Sequence, residues 1–366
     1  MDKQFKQNLV VEINVASGKI VLFLNYGTSY KSAKIEEYDF EYNGNVKLLF
    51  ALLQKILEDF SQENACKQCS TYIVFDDADI ALDYLQVPNV NAIKNKAFLK
   101  TEFSRLYNVQ QSKVVKVQQV QKNKKNVLYR CEIFNKEMVH GVNDVCKKVG
   151  LNVKAFCSST YAFIRGFNTL GKVRSVSYVC AREKKDSVQV VYAHKGLAIC
   201  YYDLRKGAIS NVQSFVEEGA YEVYFSTQSI KHGFMGVQLD INGEPMQKNE
   251  ILQSSKAEWE AMNNHFFEKL DKQSGFDVVK VGLILCQNAQ GLGYAFADQI
   301  FIDQDNEDKD ALEKVVKDKC GLDIIVKTVQ EQLPTNCLIK NYLHLYGAIG
   351  VDRDKLDMFS VDVKKS

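Results

Sequence analysis

NLVVEINVASGKIVLFL, residues 8–24, reads as two short strands around a polar turn, ASGK. Working outward, KIEEYDFEY (34–42) alternates and predicts a third strand. From Val46 to Phe60 the apolar positions 46, 49, 50, 53, 56, 57 and 60 recur at helical spacing and predict an amphipathic helix. STYIVFDD (70–77) reads as a buried strand ending in acidic residues. The order β-β-β-α-β is that of a mixed sheet packed by helices.

After VPNV (87–90) the charge changes sign. Residues 1–90 carry eight Lys/Arg against thirteen Asp/Glu, and residues 91–155 carry fourteen against four, a swing from about −5 to about +10 that predicts a separate unit. In it KAFLKTEFSRLY reads as a helix, and KVVKVQQVQKNKKNVLYRCEIF as a hairpin turning at KNKKN. NKEMVHGVNDVCKKVG reads as a second helix, capped by Gly150, before a strand, LNVKAFC. From Arg174 onward SVSYVCAR, DSVQVVYAH and LAICYYDLR predict three more consecutive strands. Helices SNVQSFVEEGA and KAEWEAMNNHFFEKLDK follow, then VVKVGLILC as an apolar strand, QGLGYAFADQI as a turn and helix, helix DALEKVVKDKCG and strand LDIIVK. The first and third sections share a plan, a duplication of architecture without readable sequence repetition.

Composition bounds the class. The chain has 366 residues, 46% hydrophobic and 11% aromatic, with a formal net charge of +2, which excludes a disordered chain and predicts two or more compact units. No apolar stretch reaches the ~18 residues of a membrane-spanning helix. The opening MDKQFKQNL lacks the apolar region of a signal peptide, so a cytoplasmic protein is expected. Ten cysteines then read as reduced, mostly buried thiols. Only Cys66 and Cys69 form a C-x-x-C; no second pair or histidine pair completes a zinc set, and CKQC precedes a strand rather than opening a helix after one. The five histidines are scattered and make no metal pattern.

Two β-β-β-α-β halves, with a small unit inserted in the first, resemble the actin-like ATPases. EINVASGK (12–19) resembles their first phosphate turn, and LQVPNVNAIKNKAFLKTEF (85–103) resembles the passage into an inserted subdomain in the PilM-like proteins of type IV pilus assembly. MVHGVNDVCKKVGLNVKAFCSSTYAFIRGF (138–167) resembles that subdomain's return to the core. VGLILCQNAQGLGYAFADQI (281–300) resembles the adenosine-side turn, and NYLHLYGAIG (341–350) the closing helix. The resemblance to the FtsA-like division proteins is more distant. It implies an α/β, actin-like (ribonuclease H-like) two-lobed fold with a small α+β subdomain in the first lobe. The expected divisions are 1–88 for the first lobe, 89–158 for the basic insert, 159–173 for a return helix and 174–366 for the second lobe.

An actin-like nucleotide site needs backbone N–H groups at two hairpin turns, an acidic residue beside each for hydrated Mg²⁺, and a Gly pair at the adenosine. On the resemblance Glu12 stands for the first Asp and Asn14 for a Gly, while Ser17 and Lys19 match. At the second turn Cys180 falls at the expected Asp and Arg182 near the expected Gly, with Asp186 too late in the turn. Arg182, Lys184 and Lys185 form a basic run that could hold phosphate by charge but reads as solvated surface at a hairpin tip. Gln287 and Asn288 replace the Gly pair, with Gly291 and Gly293 downstream, and Gly207 fits the Gly after the hairpin. The remnant cleft is therefore Glu12, Asn14, Ser17, Lys19, Gly207 and Gly291, and the expectation is a pseudo-ATPase with no catalytic residue, no metal and no bound cofactor, ATP and Mg²⁺ being doubtful. Asp76, Asp77 and Asp79 could pair to bind a metal or act as acid and base, but are read as capping a helix after them.

The resemblance implies a cytoplasmic scaffold of a type IV pilus, competence or secretion-type machine. Its expected partner is the short cytoplasmic tail of a single-span inner-membrane protein, lying extended beside the basic insert. Self-association is left open, and neither nucleic acid nor direct membrane insertion is expected. The tail VDRDKLDMFSVDVKKS, with acidic residues through its apolar face, is a poor membrane anchor. The alternatives are an FtsA-like division or cell-shape filament and a weakly active actin-like ATPase.

Overall fold

The opening hairpin forms as read, with β1 (Gln7–Asn14) and β2 (Lys19–Tyr26) pairing antiparallel from Gln7–Tyr26 to Asn14–Lys19. The computed structural model describes residues 7–27, 30–66, 69–76, 81–89, 97–101, 112–122, 124–173, 175–184, 187–205, 276–291, 293–302, 309–335, 337–353 and 357–361. Strand β3 (Ala33–Asp39) extends the hairpin, helix α1 (Val46–Asn64) crosses it, and β4 (Ser70–Phe75) lies parallel to β1. Asn45 starts α1 by accepting the N–H groups of Lys47 and Leu48. The apolar stripe of α1 (Leu49, Leu53, Ile56, Leu57, Phe60) is buried in one core with Leu9, Val11, Ile20 and Leu22 of the sheet.

Further along come β5 (Ala81–Pro88), β6 (Lys113–Lys122), β7 (Asn126–Asn135), α2 (Lys136–Val149), β8 (Asn152–Ser158) and α3 (Ser159–Gly171). Helix α2 ends at Gly150 (φ 84), as expected. Sheet pairing divides this stretch at other points than 89 and 158. β5 joins the small sheet, whereas β8 pairs with β4 as the last strand of the first sheet, order β3-β2-β1-β4-β8, and α2 packs on α1. The alternation of a strand fixes its faces but not which sheet receives it.

The second lobe opens with β9 (Ser177–Glu183), β10 (Ser187–His194) and β11 (Leu197–Arg205), the three strands expected. The two helices expected next, and Gly207, lie outside the described residues. VVKVGLILC is a correction: it is not a strand but the middle of helix α4 (Phe276–Gly291). Val279, Val281, Leu283, Leu285, Cys286 and Ala289 are all buried, and a short apolar run of this kind reads equally as a buried strand or as a stretch of buried helix. QGLGYAFADQI is likewise no turn and helix; it leaves α4 through a turn at Gly293 into extended chain and β12 (Gln299–Ile302). Helix α5 (Lys309–Cys320) and β13 (Ile325–Thr328) are where they were expected, followed by the single turn α6 (Val329–Gln332) and by α7 (Leu343–Ala348).

The second sheet has the order β11-β10-β9-β12-β13, the image of the first: three antiparallel strands, then two parallel ones. The duplication is therefore one of topology. Between the lobes α3 and α7 cross with backbones touching. A Cβ on Gly347 would lie 1.9 Å from the Ala162 carbonyl oxygen, and one on Gly166 would lie 2.0 Å from that of Leu343. Phe167, Tyr178 and Phe301 pack edge to face beside this crossing at 5.1–5.9 Å.

The small sheet, order β14-β6-β7-β5, gains its edge from the tail: β14 (Asp357–Val361) pairs antiparallel with β6. Arg130 of β7 fixes this sheet to the body. It is 1% exposed, lies 4.4 Å from the Tyr161 ring centroid, donates to the Ala198 carbonyl at 3.1 Å and pairs with Glu132 at 3.4 Å. Glu132 in turn accepts from Ser158 Oγ at 2.6 Å. Part of the insert's positive charge is thus spent on internal contacts.

Candidate functional site

Strands β1, β4 and β9 all end at the cleft between the lobes, which brings their last side chains together. The turn Val15–Gly18 is tight. Gly18 holds φ +62, and a Cβ there would meet the Phe40 carbonyl oxygen at 2.2 Å. Asn14 serves the turn through its side chain, accepting the Ser17 N–H at 2.8 Å; it is not among the positive-φ residues, so the Gly-like role expected of it is not its role. The Asn14 amide donates to Asp76 Oδ2. Ser159 Oγ, at the first position of α3, donates to Asp76 Oδ1 at 2.8 Å. Lys184, just beyond β9, places its Nζ 3.2 Å from the same oxygen. Asp76 and Lys184 have side chains only 11% and 16% exposed, so this ion pair joins the two lobes in a partly dry setting.

Asp76 corrects the capping reading. No helix follows the acidic run among the described residues; β5 does, and Asp76 faces the cleft network instead. Asp77 and Asp79 lie outside the described residues.

Glu12 is also engaged. Its Oε2 lies 3.0 Å from His344 Nε2 of α7, and the two side chains are 7% and 6% exposed. Lys19 is tied along the sheet rather than into the cleft, 2.6 Å from Glu37 Oε2. Glu37 Oε1 accepts from Tyr342 O–H at 2.6 Å, linking the first lobe to the segment before α7. These contacts hold the Glu37 carboxyl below its ordinary range, chiefly through the Lys19 hydrogen bond, and push the Tyr342 hydroxyl up to about 12, chiefly through Glu37.

At the second turn Cys180 is fully buried, and Arg182 lies with its guanidinium 5.7 Å from the Phe163 ring centroid. Asp186 and Gly207 are outside the described residues. Gly291 closes helix α4, and Gln287 and Asn288 sit inside that helix, so the expected adenosine turn is not where sequence reading put it. The structure brings Asn14, Ser17 and Glu12 to the cleft and adds Asp76, Ser159, Lys184 and His344; of these, sequence reading makes Asp76 a cap and Lys184 part of a solvated basic run. Asp76 and Lys184 stand 108 positions apart, and no local spacing pairs them.

Mg²⁺ with a nucleotide triphosphate does not fit this donor set. The Asp76 carboxylate already accepts from Asn14, Ser159 and Lys184, Glu12 is held by His344, and the second turn offers a buried thiol and two cations. Among the described residues no group of His, Cys, Asp and Glu is arranged to hold a metal ion.

A second concavity, of about 470 Å³, lies between the first lobe and the small subdomain. Phe75 and Phe156 line it with Val139, Val142 and Met358, and Phe134 backs it, 5.0 Å from the Phe156 ring. Two edge strands border it, β8 of the first sheet and β14 of the small one. Lys116 reaches across from β6, donating to the Phe156 carbonyl with its ammonium 5.4 Å from that ring's centroid. Exposed His140 and Lys154 add a basic rim against a single acid, Asp352, whose Oδ1 accepts from Tyr72.

Two lobes of matching sheet order, hinged on crossed helices α3 and α7, with an inserted subdomain in the first, define the actin-like ATPase fold. The chain is similar over 94% of its length to 97% of a chain in a PilM–PilN type IV pilus biogenesis complex, at 10% identity and a TM-score of 0.50. It also matches the cytoplasmic domain of EpsL, an inner membrane component of the type II secretion system of Vibrio cholerae (12% identity, 58% of this chain and 74% of that one, TM-score 0.36). A Bacteroides thetaiotaomicron protein with an actin-like ATPase fold matches at 9% identity over 89% of this chain and 93% of that one, TM-score 0.38. No family model and no curated protein matches the sequence. At such identities the likeness establishes the fold.

Proposed function

We propose that the chain is a cytoplasmic actin-fold scaffold of a type IV pilus, competence or secretion-type assembly machine, and that it docks the short cytoplasmic tail of a single-span inner-membrane protein without hydrolysing ATP. The observation that carries this reading is the apolar groove between β8 and β14, bordered by two strand edges. An extended segment satisfies its backbone at such an edge while alternate side chains enter the apolar floor. The likeness of fold to a chain of the PilM–PilN complex supports the same reading. No helix among the described residues is long and apolar enough to cross a membrane, so on this reading the partner supplies the link.

The loss of hydrolysis rests on the cleft. A lysine on the carboxylate that would face the metal, and a histidine on the other, engage the two acidic residues that the described part of the cleft offers to hydrated Mg²⁺.

The test first asks whether a neighbouring gene encodes a single-span protein with a short cytoplasmic tail, and then titrates a synthetic peptide of that tail in fluorescence anisotropy; the lack of such a neighbour counts against the reading. Micromolar binding is expected, with a loss of tenfold or more in Val139→Asp, which places a carboxylate in the groove wall. Absence of binding, or binding indifferent to that substitution, overturns the docking site. Calorimetric titration with Mg·ATP is expected to show no binding at 1 mM nucleotide on the order of the weakest specific affinities; micromolar affinity would overturn the pseudo-ATPase reading.

A further inference from the structure

Behind the second turn, on the side of α6 and α7 rather than of the first turn, Arg182 borders a small pocket. Phe163 and Leu343 form its apolar wall, and Lys340, Asn341, Gln330 and His344 its polar one. Arg182 Nη1 is buried and has no hydrogen-bond partner among the described residues. The guanidinium is permanently charged, so an unpaired buried N–H of this kind is costly. Lys340 stands at the rim, exposed, its Nζ resting on Gln330 Oε1 at 3.0 Å. Among the described residues no carboxylate lines the pocket, and Glu12, beside its wall, is engaged by His344 Nε2. Two cations, two amides and an imidazole therefore surround a concavity with no carboxylate among its described lining residues.

We infer that this pocket binds a small tetrahedral oxyanion, of the class of inorganic phosphate, with Arg182 Nη1 as its buried donor and Lys340 and Asn341 as its rim donors. The site works by side-chain charge. It uses neither the backbone turns nor the metal on which nucleotide binding in this fold depends, and it does not rest on the pseudo-ATPase reading. Arg182 is suited to it because a planar guanidinium presents its N–H groups to phosphate in a fixed fork. The stacked Phe163 ring holds that fork in place from one face.

The experiment uses the full chain, with sodium phosphate titrated against sodium chloride at matched ionic strength, followed by calorimetry and thermal unfolding. Phosphate is expected to bind and to raise the unfolding temperature beyond the chloride control. Arg182→Met is expected to weaken that binding tenfold or more. Lys340→Met, at an exposed position that folding does not need, is expected to weaken it several-fold, so the test survives if Arg182→Met fails to fold. Lys184→Met, which disturbs the Asp76 network and not this pocket, is expected to leave phosphate binding in place. No response beyond chloride, or a response unchanged in both the Arg182 and the Lys340 variants, overturns the inference. A nonhydrolysable ATP analogue with and without Mg²⁺ separates the sources of the oxyanion. Metal-dependent binding of the analogue with no response to free phosphate sinks both this inference and the pseudo-ATPase reading. Binding of free phosphate without the analogue upholds both.

Discussion

The lobes meet at two places of opposite character. At the floor of the cleft α3 and α7 cross through Gly166 and Gly347, backbone against backbone, among buried aromatic rings. At the mouth, the contact is made by charged and polar side chains, with Asn14, Asp76 and Ser159 on one side and Lys184 on the other. The floor depends chiefly on shape, the charged Arg165 there donating to the Gly347 and Ile349 carbonyls. The mouth depends on charge, and its two turns are complementary to each other where, in a nucleotide-binding member of this fold, both would be complementary to a shared phosphate group. Lys184 lies on Asp76 as a cation supplied from within the chain.

The largest expected effect is at the floor. In Gly347→Ala the new Cβ has 1.9 Å to the Ala162 oxygen and 2.4 Å to the Gly166 nitrogen, both backbone atoms that no rotamer change can move aside. The helices must separate, and the loss is expected to reach about 3 kcal/mol, the upper part of the usual overpacking range. Chemical denaturation reads it directly. A loss below about 1 kcal/mol would mean that the crossing is looser than its geometry.

The small subdomain supplies a test of intermediate kind, charge buried as deeply as the floor. Glu132→Gln leaves Arg130 facing a neutral amide at 1% exposure, and removing one partner of a buried pair costs about 3 kcal/mol at the low end. Here the carboxamide still accepts a hydrogen bond, so about 2 kcal/mol is expected. Arg130→Met combined with Glu132→Gln should recover part of it, since the burden lies in the unpaired charge.

At the mouth, Asp76→Asn and Lys184→Met form a double-mutant cycle. Partly exposed ions repay less than buried ones, and the coupling expected from denaturation of the four proteins is about 1–2 kcal/mol. A coupling near zero would remove Lys184 as a link between the lobes and leave the floor as the joint.

Legibility followed the same division. The opening hairpin and the strands β9 to β11 were readable as short apolar runs set off by polar turns, and α1 because its one buried stripe recurs at helical spacing. Helix α4 was misread because VVKVGLILC is a short, nearly continuous apolar run, which periodicity alone cannot divide between a strand and a buried helix. Strand β14 was hidden for another reason: five residues of tail gain strand structure only from the edge of β6, which lies far away in sequence. In the cleft, sequence reading located the turns, and so Asn14, Ser17 and Cys180, but not what they face. Asp76 was noted as acidic and Lys184 as part of a basic run, and each reading was correct about charge and silent about partner. Long-range ion pairs leave no spacing behind them.

The smallest effect lies at the outer end of the joint, where Glu37 accepts from Lys19 and from Tyr342. Its carboxyl is held below the ordinary 4.5 by these contacts, the Lys19 hydrogen bond first, so the folded state favours the ionised form. Stability from this source is fully present above the unfolded carboxyl's pKa and is lost as pH falls through the lower folded value. The pair is exposed to solvent, and a contribution of about 0.5 kcal/mol is expected. Glu37→Gln should therefore cost that amount at neutral pH, with the difference from the parent protein constant down to the unfolded carboxyl's range and shrinking below it. Added salt should reduce it over the whole neutral range, because screening acts on exposed pairs first. The Asp76–Lys184 coupling, being drier, should hold its value in the same salt series. If both fall together, the mouth of the cleft is as wet as its outer edge, and the contrast between them fails.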